Sequence, residues 1–282
     1  MTQPRLDDVT FCVKTIHRPH ACHRIVESIL YHYPKARIDI LDDGQPKFRY
    51  STHYPGDVKL LNALHELDTF DVGASAGRNE LVARAETPYV FIVDDDMVLT
   101  RKTRINMVLR RLHDNRDTVD LIGWRHPDAG RPRLMDPIHK GRLWVRHGTH
   151  RWNGHLGHCD MVDQIILAPK EIMEYHPWDP DLKIYEHWYY FWTAKLAGLN
   201  VAVSSDTSVL HKGGQPLGGY GRLRHRRQFF NLALKKAGFR DLKMGGSVSP
   251  DKIKPLGAYR GKEKEEDISR RRKETDNPNA DQ

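Results

Sequence analysis

The chain has few cysteines and no long apolar run. Its three cysteines, Cys12, Cys22 and Cys159, include no C-x-x-C pair. This argues against a disulfide framework and against a cysteine-rich zinc site. No apolar run exceeds five residues, and residues 1–8 contain no apolar stretch of signal-peptide length. We therefore expect no membrane span, no cleaved leader and a cytoplasmic location. The protein would be either bacterial or encoded by a virus and made in the host cytosol.

The composition is that of a soluble globular protein, with 39% hydrophobic and 29% charged residues. The formal net charge is +8. Residues 212–243 alone contain nine Lys or Arg and one Asp, an excess equal to that of the whole chain. An anionic partner is expected, which could be a nucleotide diphosphate, a nucleic acid or an acidic glycan.

The first hundred residues alternate between strand and helix patterns. Strands are predicted over 9–16, 37–41 and 89–93, and helices over 20–31, around Val58, Leu61 and Leu64, and over 80–85. This alternation predicts an α/β fold with a mostly parallel, doubly wound sheet flanked by helices. Ligands of such sheets bind beyond the carboxyl ends of the strands, where two acidic groups fall, residues 42–43 and 94–96.

The character of the chain changes after residue 124. Residues 125–158 are rich in Arg, His and Trp with scattered Gly and Pro, which favours loops and short strands over a second regular sheet. A helix is predicted over 186–197 and a last strand over 201–203. We expect a single domain over 1–246, with a nucleotide-binding half (1–124) and a loop-rich acceptor half (125–246). Residues 247–282 are polar and charge-mixed, which predicts a flexible tail.

The strongest motif is the acidic triplet Asp94-Asp95-Asp96, which follows an apolar strand. Two carboxylates in a D-x-D arrangement suit a hard divalent cation such as Mg²⁺ or Mn²⁺, which would neutralise a diphosphate. The alternative is a solvated acidic loop. Asp42-Asp43-Gly44 could bind a pyrimidine or ribose, or could form an ordinary turn. Residues 73–79 could approach phosphates or cap a helix.

Together these motifs resemble those of GT-A-fold glycosyltransferases. The resemblance is closest to family 2 enzymes and to the β-1,4-N-acetylgalactosaminyltransferase type, and it covers roughly residues 9–212. The motifs that carry it, in order, are 9–18, 40–44, 73–79 and 89–98, then Trp178-Asp179-Pro180, Tyr185-Glu186-His187 with Phe191, and Val209-Leu210-His211.

The resemblance implies roles for individual residues. Asp42 or Asp43 corresponds to the aspartate that reads the uracil or ribose. The other implied contacts to the nucleotide sugar are Thr15, Arg18, Arg78, Asn79, Asp94 and Asp95. Asp96 is the expected direct metal ligand, with Asp94 at the other end of the D-x-D and His211 completing the shell around Mn²⁺ or Mg²⁺.

The catalytic base is where the chain departs from that family. The family commonly has two acids at the head of the base-bearing helix, whereas this chain has Glu186-His187. Glu186 could be the base, His187 could be, or Glu186 could orient His187. A helix-start Glu is also ordinary capping chemistry. Asp160 and Asp163 are the next candidates.

Several aromatic and histidine residues are weaker candidates. The cluster over 188–192 could be core, acceptor platform or both, and Trp124 and Trp152 are candidates for stacking on a sugar. The histidines at 147, 150, 155 and 158 match no closed zinc site, so a polar acceptor loop is favoured.

The leading hypothesis is a metal-dependent, inverting hexosyltransferase (EC 2.4 class). It would move a sugar from a UDP-linked donor to a hydroxyl on a glycan, protein or modified nucleic acid. One alternative is a glycosyltransferase that acts on a nucleic-acid base, and another is a non-catalytic nucleic-acid binder that uses residues 212–243. A haloacid-dehalogenase-type phosphatase is a third, because Asp94 to Val98 fit D-x-D-x-[TV].

Overall fold

The computed structural model of the chain describes residues 3–125, 131–254 and 256. Its strands are β1 (Val9–Thr15), β2 (Arg37–Asp42), β3 (Ala63–Glu66), β4 (Tyr89–Asp94), β5 (Met97–Val98), β6 (Leu121–Arg125), β7 (Arg133–Ile138), β8 (Arg142–His147), β9 (Arg151–Asn153), β10 (Leu156–Cys159), β11 (Ile165–Pro169), β12 (Val201–Ser208), β13 (Leu210–His211) and β14 (Asp241–Met244). Its α-helices are α1 (Pro19–His32), α2 (Tyr50–His53), α3 (Ala74–Arg84), α4 (Ile105–Asp114), α5 (Lys170–Tyr175), α6 (Glu186–Leu196), α7 (Tyr220–Arg224) and α8 (Arg227–Ala237).

A nine-stranded sheet organises the molecule, in the order β3-β2-β1-β4-β11-β6-β12-β10-β9. The strands from β3 to β4 pair in parallel, as do β6 and β12, whereas β11, β10 and β9 pair antiparallel with their neighbours. The predicted α/β class is confirmed, and the sheet is mixed. Seven of its nine strands run in one direction, as expected for a mostly parallel sheet, and β11 and β10 run in the other.

Apolar side chains fill both faces of this sheet. Along β4, Val90 and Ile92 belong to one core, and Phe91 and Val93 belong to the other. Helices α1 and α4 cover the second core, while α3, α5, α6 and α8 cover the first. Two buried faces explain why this strand is a continuous apolar run, since successive side chains point to opposite faces.

Three local predictions differ from the structure. The apolar residues Val58, Leu61 and Leu64 were expected on a helix, but they span a 3-10 turn and the parallel strand β3. Three apolar residues at this spacing do not distinguish a helix from a strand. The hydrogen bonds that make this segment a strand come from β2, which the local sequence does not reveal. Helix α3 begins at Ala74, six residues before the expected start. Helices α4 and α8 were not predicted.

Residues after 124 contain a second sheet that was not expected. Strands β7 and β8 form an antiparallel hairpin, and β14 adds to β8 in parallel. Met135, Leu143 and Val145 of this sheet are buried in the core that α6 and α8 cover. Short strands were expected here and are present, but their assembly into a regular sheet was not predicted; its third strand, β14, lies about a hundred residues further along the chain.

The C-terminal segment is partly in contact with this second sheet. Ile253 forms a bridge with Ile138, and the Lys254 N–H donates to the Pro137 carbonyl at 2.8 Å. Residue 255 and residues 257–282 of the predicted tail lie outside the described residues. Within the described ranges, the helices fall short of the length and apolar character that a bilayer crossing requires.

Candidate active site

A cleft of about 440 Å³ opens beyond the carboxyl ends of β1 and β4. Binding sites in open α/β sheets lie at this edge. The residues that line the cleft are Lys14, Thr15, Ile16, Arg18, Asp43, Asp71, Gly73, Ala74, Arg78, Asp94, Asp95, Gln164, Lys183, Ile184, Tyr185, Glu186, His187, Tyr220, Leu223, Arg224, His225 and Arg226. This set includes eight of the residues that the sequence nominated.

The two aspartates after β2 have different surroundings. The Asp42 carboxylate is 1% exposed and accepts from the backbone N–H groups of Gly44 and Tyr50, at 2.9 Å each. Asp43 is fully buried as well and accepts from the Lys14 ammonium at 2.5 Å and from the Gly73 N–H at 3.2 Å, but it borders the cleft. Both carboxylates are therefore paired within the protein, and Asp43 is the one next to the cleft.

We use the name acidic wall for Asp94, Asp95, Asp96, Arg18 and His211. The Arg18 guanidinium donates to both Asp95 (Nε to Oδ2, 3.1 Å) and Asp96 (Nη1 to Oδ2, 2.7 Å). The pairing of β13 with β5 brings His211 beside the triplet, with its Nε2 3.3 Å from an Asp96 oxygen. A single guanidinium therefore offsets part of the repulsion between two adjacent carboxylates.

The central and last acids of the triplet have different pKa values. Burial raises the pKa of Asp95 to about 6, against the opposing effect of Arg18. Thr15 donates to this carboxylate at 2.7 Å. Burial also acts upward on Asp96, but Arg18 and His211 together outweigh it and lower the pKa of that carboxyl. Asp96 is therefore the more readily ionised of the two.

Only part of the expected metal shell is brought together. Asp96 and His211 are neighbours, whereas Asp94 turns away to accept from Arg78 at 2.8 Å. Within residues 3–125, 131–254 and 256, no group of three His, Cys, Asp or Glu side chains converges as metal ligands. Two protein donors still fit a Mg²⁺ or Mn²⁺ ion, since nucleotide-bound cations commonly take most of their ligands from phosphates and water.

The opposite side of the cleft, the α6 wall, comprises Glu186, His187 and Gln164. Glu186 is the first residue of α6, is 7% exposed and accepts from the Arg78 Nη1 at 2.6 Å. Arg78 is itself 5% exposed and donates from its other branch to Asp94. Arg78 was expected to bind the nucleotide, but its side chain instead joins the two walls of the cleft.

The chain enters this arrangement through two unusual backbone conformations. Gly73 has φ of +97°, and a Cβ at this position would lie 2.5 Å from the Lys183 backbone. The close approach lets the Ala74 N–H donate to the Lys183 carbonyl at 2.9 Å. Tyr185 has φ of 60° and turns the chain directly into α6. Helices α3 and α6 thereby begin side by side, which brings Arg78 to Glu186.

His187 is held by one ring nitrogen. Its Nε2 donates to the Val162 carbonyl at 2.6 Å, so in the neutral ring Nδ1 is the hydrogen-bond acceptor. Burial lowers the pKa of His187, although Asp163 opposes the shift. The imidazole is therefore neutral and oriented, and Nδ1 has the lone pair that a base requires.

Several nominated residues lie elsewhere. Asn79 uses its side-chain amide to accept from and donate to the Trp178 backbone, at 2.9 and 2.8 Å. Trp124 is buried, and Trp152 is 52% exposed but does not line the cleft. In the 188–192 cluster, all but the half-buried Tyr189 are buried. Asp160 and Asp163 lie outside the cleft lining and pair with His150, Lys195 and Arg133.

Other cleft residues come from the basic segment and from loops. Tyr220 and residues 223–226 line the cleft. The Arg226 guanidinium donates two hydrogen bonds to the Asp71 carboxylate, one to each oxygen. The Arg18 guanidinium lies 4.9 Å from the centre of the Tyr220 ring. Asp71 and Lys183 carried no recognisable signal, since their partners come from distant parts of the chain.

Known proteins provide an independent comparison. No protein-family model matches the chain. It is 29% identical to human beta-1,4 N-acetylgalactosaminyltransferase 1 and 33% identical to the mouse protein of that name. Each match covers 216 residues, which are 72% of this chain and 38% of the relative. The chain thus spans well under half the length of these curated relatives.

Two solved structures share the fold. The crystal structure of S. aureus TarS 1–349 with UDP-GlcNAc matches with a TM-score of 0.57 and 14% identity, covering 79% of this chain and 64% of that one. GalNAc-T7 with UDP, GalNAc and Mn²⁺ matches with a TM-score of 0.57 and 12% identity, covering 73% and 43%. The chain therefore has the GT-A glycosyltransferase fold, and the resemblance to β-1,4-N-acetylgalactosaminyltransferases that its motifs predicted is confirmed.

Proposed function

We propose that this protein is a metal-dependent, inverting glycosyltransferase that moves a sugar from a UDP-linked donor to an acceptor hydroxyl. The observation that carries the proposal is the pairing of the two walls across one cleft. The acidic wall presents Arg18 and Asp95 to the cleft, with the Asp96–His211 pair beside Arg18 but outside the cleft lining, and the α6 wall presents Glu186 and His187. A displacement at a sugar carbon needs a cationic site for the leaving group on one side and a base on the other.

On the acidic wall, Asp96 and His211 would hold Mn²⁺ or Mg²⁺, with Asp94 as a more distant candidate. A divalent cation bound there would neutralise the departing diphosphate. The GalNAc-T7 structure, which shares the fold, was determined with Mn²⁺, and this supports the use of a metal here. Arg18 supplies a fixed positive charge beside the same carboxylates, and Lys14 and Asp43 would face the nucleoside.

On the α6 wall, Glu186 is the proposed base. Arg78 anchors one oxygen of its carboxylate at 2.6 Å and so sets its orientation. Glu186 would accept the proton of the acceptor hydroxyl as that oxygen attacks the anomeric carbon from the side opposite the diphosphate, which inverts the configuration. His187 is the alternative base, because its Nδ1 is the acceptor nitrogen of an oriented, neutral ring.

The structure disfavours a non-catalytic nucleic-acid binder built on residues 212–243. Arg226 is paired with Asp71, and Lys236 is paired with Asp179 and Asp181. Ala233 and Leu234 of the same segment are buried in the core. Two of the nine basic side chains are therefore used within the protein, and a simple binder would leave the buried acids of the cleft without a role. The phosphatase alternative draws no support from the GT-A fold.

A donor screen tests the proposal. The intact protein is incubated with UDP-GalNAc, UDP-GlcNAc, UDP-galactose or UDP-glucose, with Mn²⁺ or with EDTA, and its melting temperature and UDP release are measured. We expect at least one UDP-sugar to stabilise the protein in Mn²⁺ and to release UDP faster when acceptor glycans are added. Absence of stabilisation by UDP and by every UDP-sugar would contradict the proposal.

The acceptor class is tested by salt. Binding to a nucleic acid weakens steeply with salt, with a log–log slope of several units for several phosphate contacts, whereas binding to a neutral glycan does not. A steep slope for duplex or single-stranded DNA, together with DNA-dependent UDP release, would select a nucleic-acid base as the acceptor.

A further inference from the structure

Gln164 is the residue of the α6 wall that the proposed mechanism leaves unused. It immediately precedes β11, is 6% exposed and lines the cleft. Its Nε2 lies 3.5 Å from the Glu186 Oε1. Its Oε1 is buried and accepts no hydrogen bond within the described ranges. Buried amide oxygens nearly always have a donor, so this one indicates a ligand group that completes the site.

The identity of the unpartnered atom follows from its neighbour. The amide group of Gln164 must present its nitrogen to the Glu186 carboxylate, because the reversed amide would place two oxygens 3.5 Å apart. The unpartnered atom is therefore the oxygen, which can only accept. The ligand group that meets it must carry an O–H or an N–H.

The position of Gln164 indicates which part of a substrate it meets. Strand β11 pairs antiparallel with β4, with Ile165 opposite Val93, so Gln164 lies at the level of Asp94. Arg78 connects Asp94 to Glu186. Gln164 thus lies between the acidic triplet and the proposed base. During an in-line transfer, the transferred sugar occupies the space between leaving group and base.

Resting on the proposed function, we propose that Gln164 is the specificity-determining residue for the transferred sugar. Its Oε1 accepts a hydrogen bond from one O–H or N–H of that sugar. The last side-chain torsion of glutamine is soft, so a small rotation turns the oxygen into the cleft when the sugar arrives. Two sugar groups have the required chemistry, a ring hydroxyl and the N–H of an acetamido group.

The test measures donor preference in the full-length chain. Dissociation constants are determined with Mn²⁺ for UDP, UDP-GalNAc, UDP-galactose, UDP-GlcNAc and UDP-glucose, in the wild type and in Gln164→Met. Methionine keeps the length of the side chain and removes the acceptor. Gln228→Met, on the exposed side of α8 and outside the cleft lining, is the matched control.

We expect the wild type to prefer one donor by about 10-fold or more and Gln164→Met to lose that preference, because one hydrogen bond is worth about that factor. Affinity for UDP itself should stay within about two-fold, and Gln228→Met should resemble the wild type. A loss confined to the acetamido-versus-hydroxyl pairs identifies the N–H as the donor. A loss confined to the galactose-versus-glucose pairs identifies the C4 hydroxyl.

Several outcomes would overturn the inference. These are an unchanged preference in Gln164→Met, a wild type without preference, or a change in acceptor affinity alone. If no UDP-sugar binds to either protein, the proposed function fails first and this inference fails with it. The melting temperature and the UDP affinity of Gln164→Met guard against a folding defect, because an unfolded variant would lose both. A folded Gln164→Met that binds UDP and keeps the wild-type preference contradicts the inference.

Discussion

The two walls of the cleft differ in how their polar groups are paired. On the acidic wall, Arg18 contacts Asp95 and Asp96, and Arg78 contacts Asp94. On the α6 wall, Glu186 is anchored through one oxygen and His187 through one nitrogen, and the Gln164 side-chain oxygen has no donor among the residues that the structure describes. On the first wall, each carboxylate contacts a guanidinium group of the protein. The side chains of the second wall are held in place but keep atoms that can still accept a proton or a hydrogen bond.

This difference separates two requirements of a transfer reaction. A site for a diphosphate must hold several charges together without a ligand, so its carboxylates need fixed counter-charges. A site for an attacking hydroxyl needs groups that are held in place and can still accept a proton or a hydrogen bond. Arg78 is the residue that belongs to both walls.

The largest effect is expected at Glu186. Glu186→Gln should lower turnover by about 10²–10⁴-fold, the usual cost of losing a general base, while UDP-sugar affinity stays within a few-fold. UDP release and donor binding are measured in parallel. His187→Ala is the informative comparison. Near-normal turnover in Glu186→Gln together with an inactive His187→Ala would assign the base to His187.

Arg78→Met should destabilise the fold. It leaves Asp94 and Glu186 without the buried cation between them, and removing one partner of a buried ion pair typically costs about 3–5 kcal/mol. Chemical denaturation at neutral pH measures the free energy of unfolding. Arg101→Met, at an exposed position, is the control. If the free energy of unfolding of Arg78→Met lies within about 1 kcal/mol of that of the wild type, the contacts of Arg78 do not stabilise the fold.

Asp96→Ala should remove the metal-dependent part of UDP binding. At UDP 100-fold above its dissociation constant, the wild type gains about 2.7 kcal/mol, or roughly 5–10 °C in melting temperature for a chain of this size. We expect that gain in Mn²⁺ but not in EDTA, and in neither for Asp96→Ala. Asp117→Ala, at an exposed position, is the control. Equal UDP responses in EDTA and Mn²⁺ would remove the metal assignment.

Charge reversal at the mouth should have a smaller effect that depends on salt. Arg224 lines the cleft and lies 5.8 Å from the centre of the Tyr220 ring. Arg224→Glu should weaken UDP binding about 5-fold near 50 mM salt and less near 500 mM, because exposed charges are screened. Arg227→Glu, exposed and outside the cleft lining, should change little. Equal affinities for both variants at low salt would show that this charge is merely solvated.

The smallest effect concerns a carboxylate outside the cleft. Burial raises the pKa of Asp39 from 3.8 to about 6, and Glu86 adds to the shift. Because the folded-state pKa is the higher one, the protonated carboxyl stabilises the fold below pH 4, and that contribution is lost as the pH rises through about 6. Asp39→Asn should therefore raise the melting temperature at pH 8, by about 2 °C, and leave it unchanged at pH 4. An equal shift at both pH values would exclude this cause.

Much of the fold could be predicted from local patterns. The apolar run 89–93 became the central strand β4, and the helix over 20–31 became α1. The acidic residues at the ends of β2 and β4 lie near one another, because parallel strands place their carboxyl ends at the same edge. The second sheet was missed because β14 pairs with β8 across a long stretch of chain.

The amino-acid pattern predicts which chemical groups are available and where several strands end, since side-chain type and hydrophobic period are local properties. It did not determine what each group contacts. Asp42 accepts from backbone N–H groups, whereas Asp43 borders the cleft. Arg78 contacts both Asp94 and Glu186, and Glu186 lies 108 residues from Arg78 along the chain. These pairings arise only in the tertiary structure. They depend on where α3 and α6 begin relative to the sheet, and that placement is set by packing between distant segments.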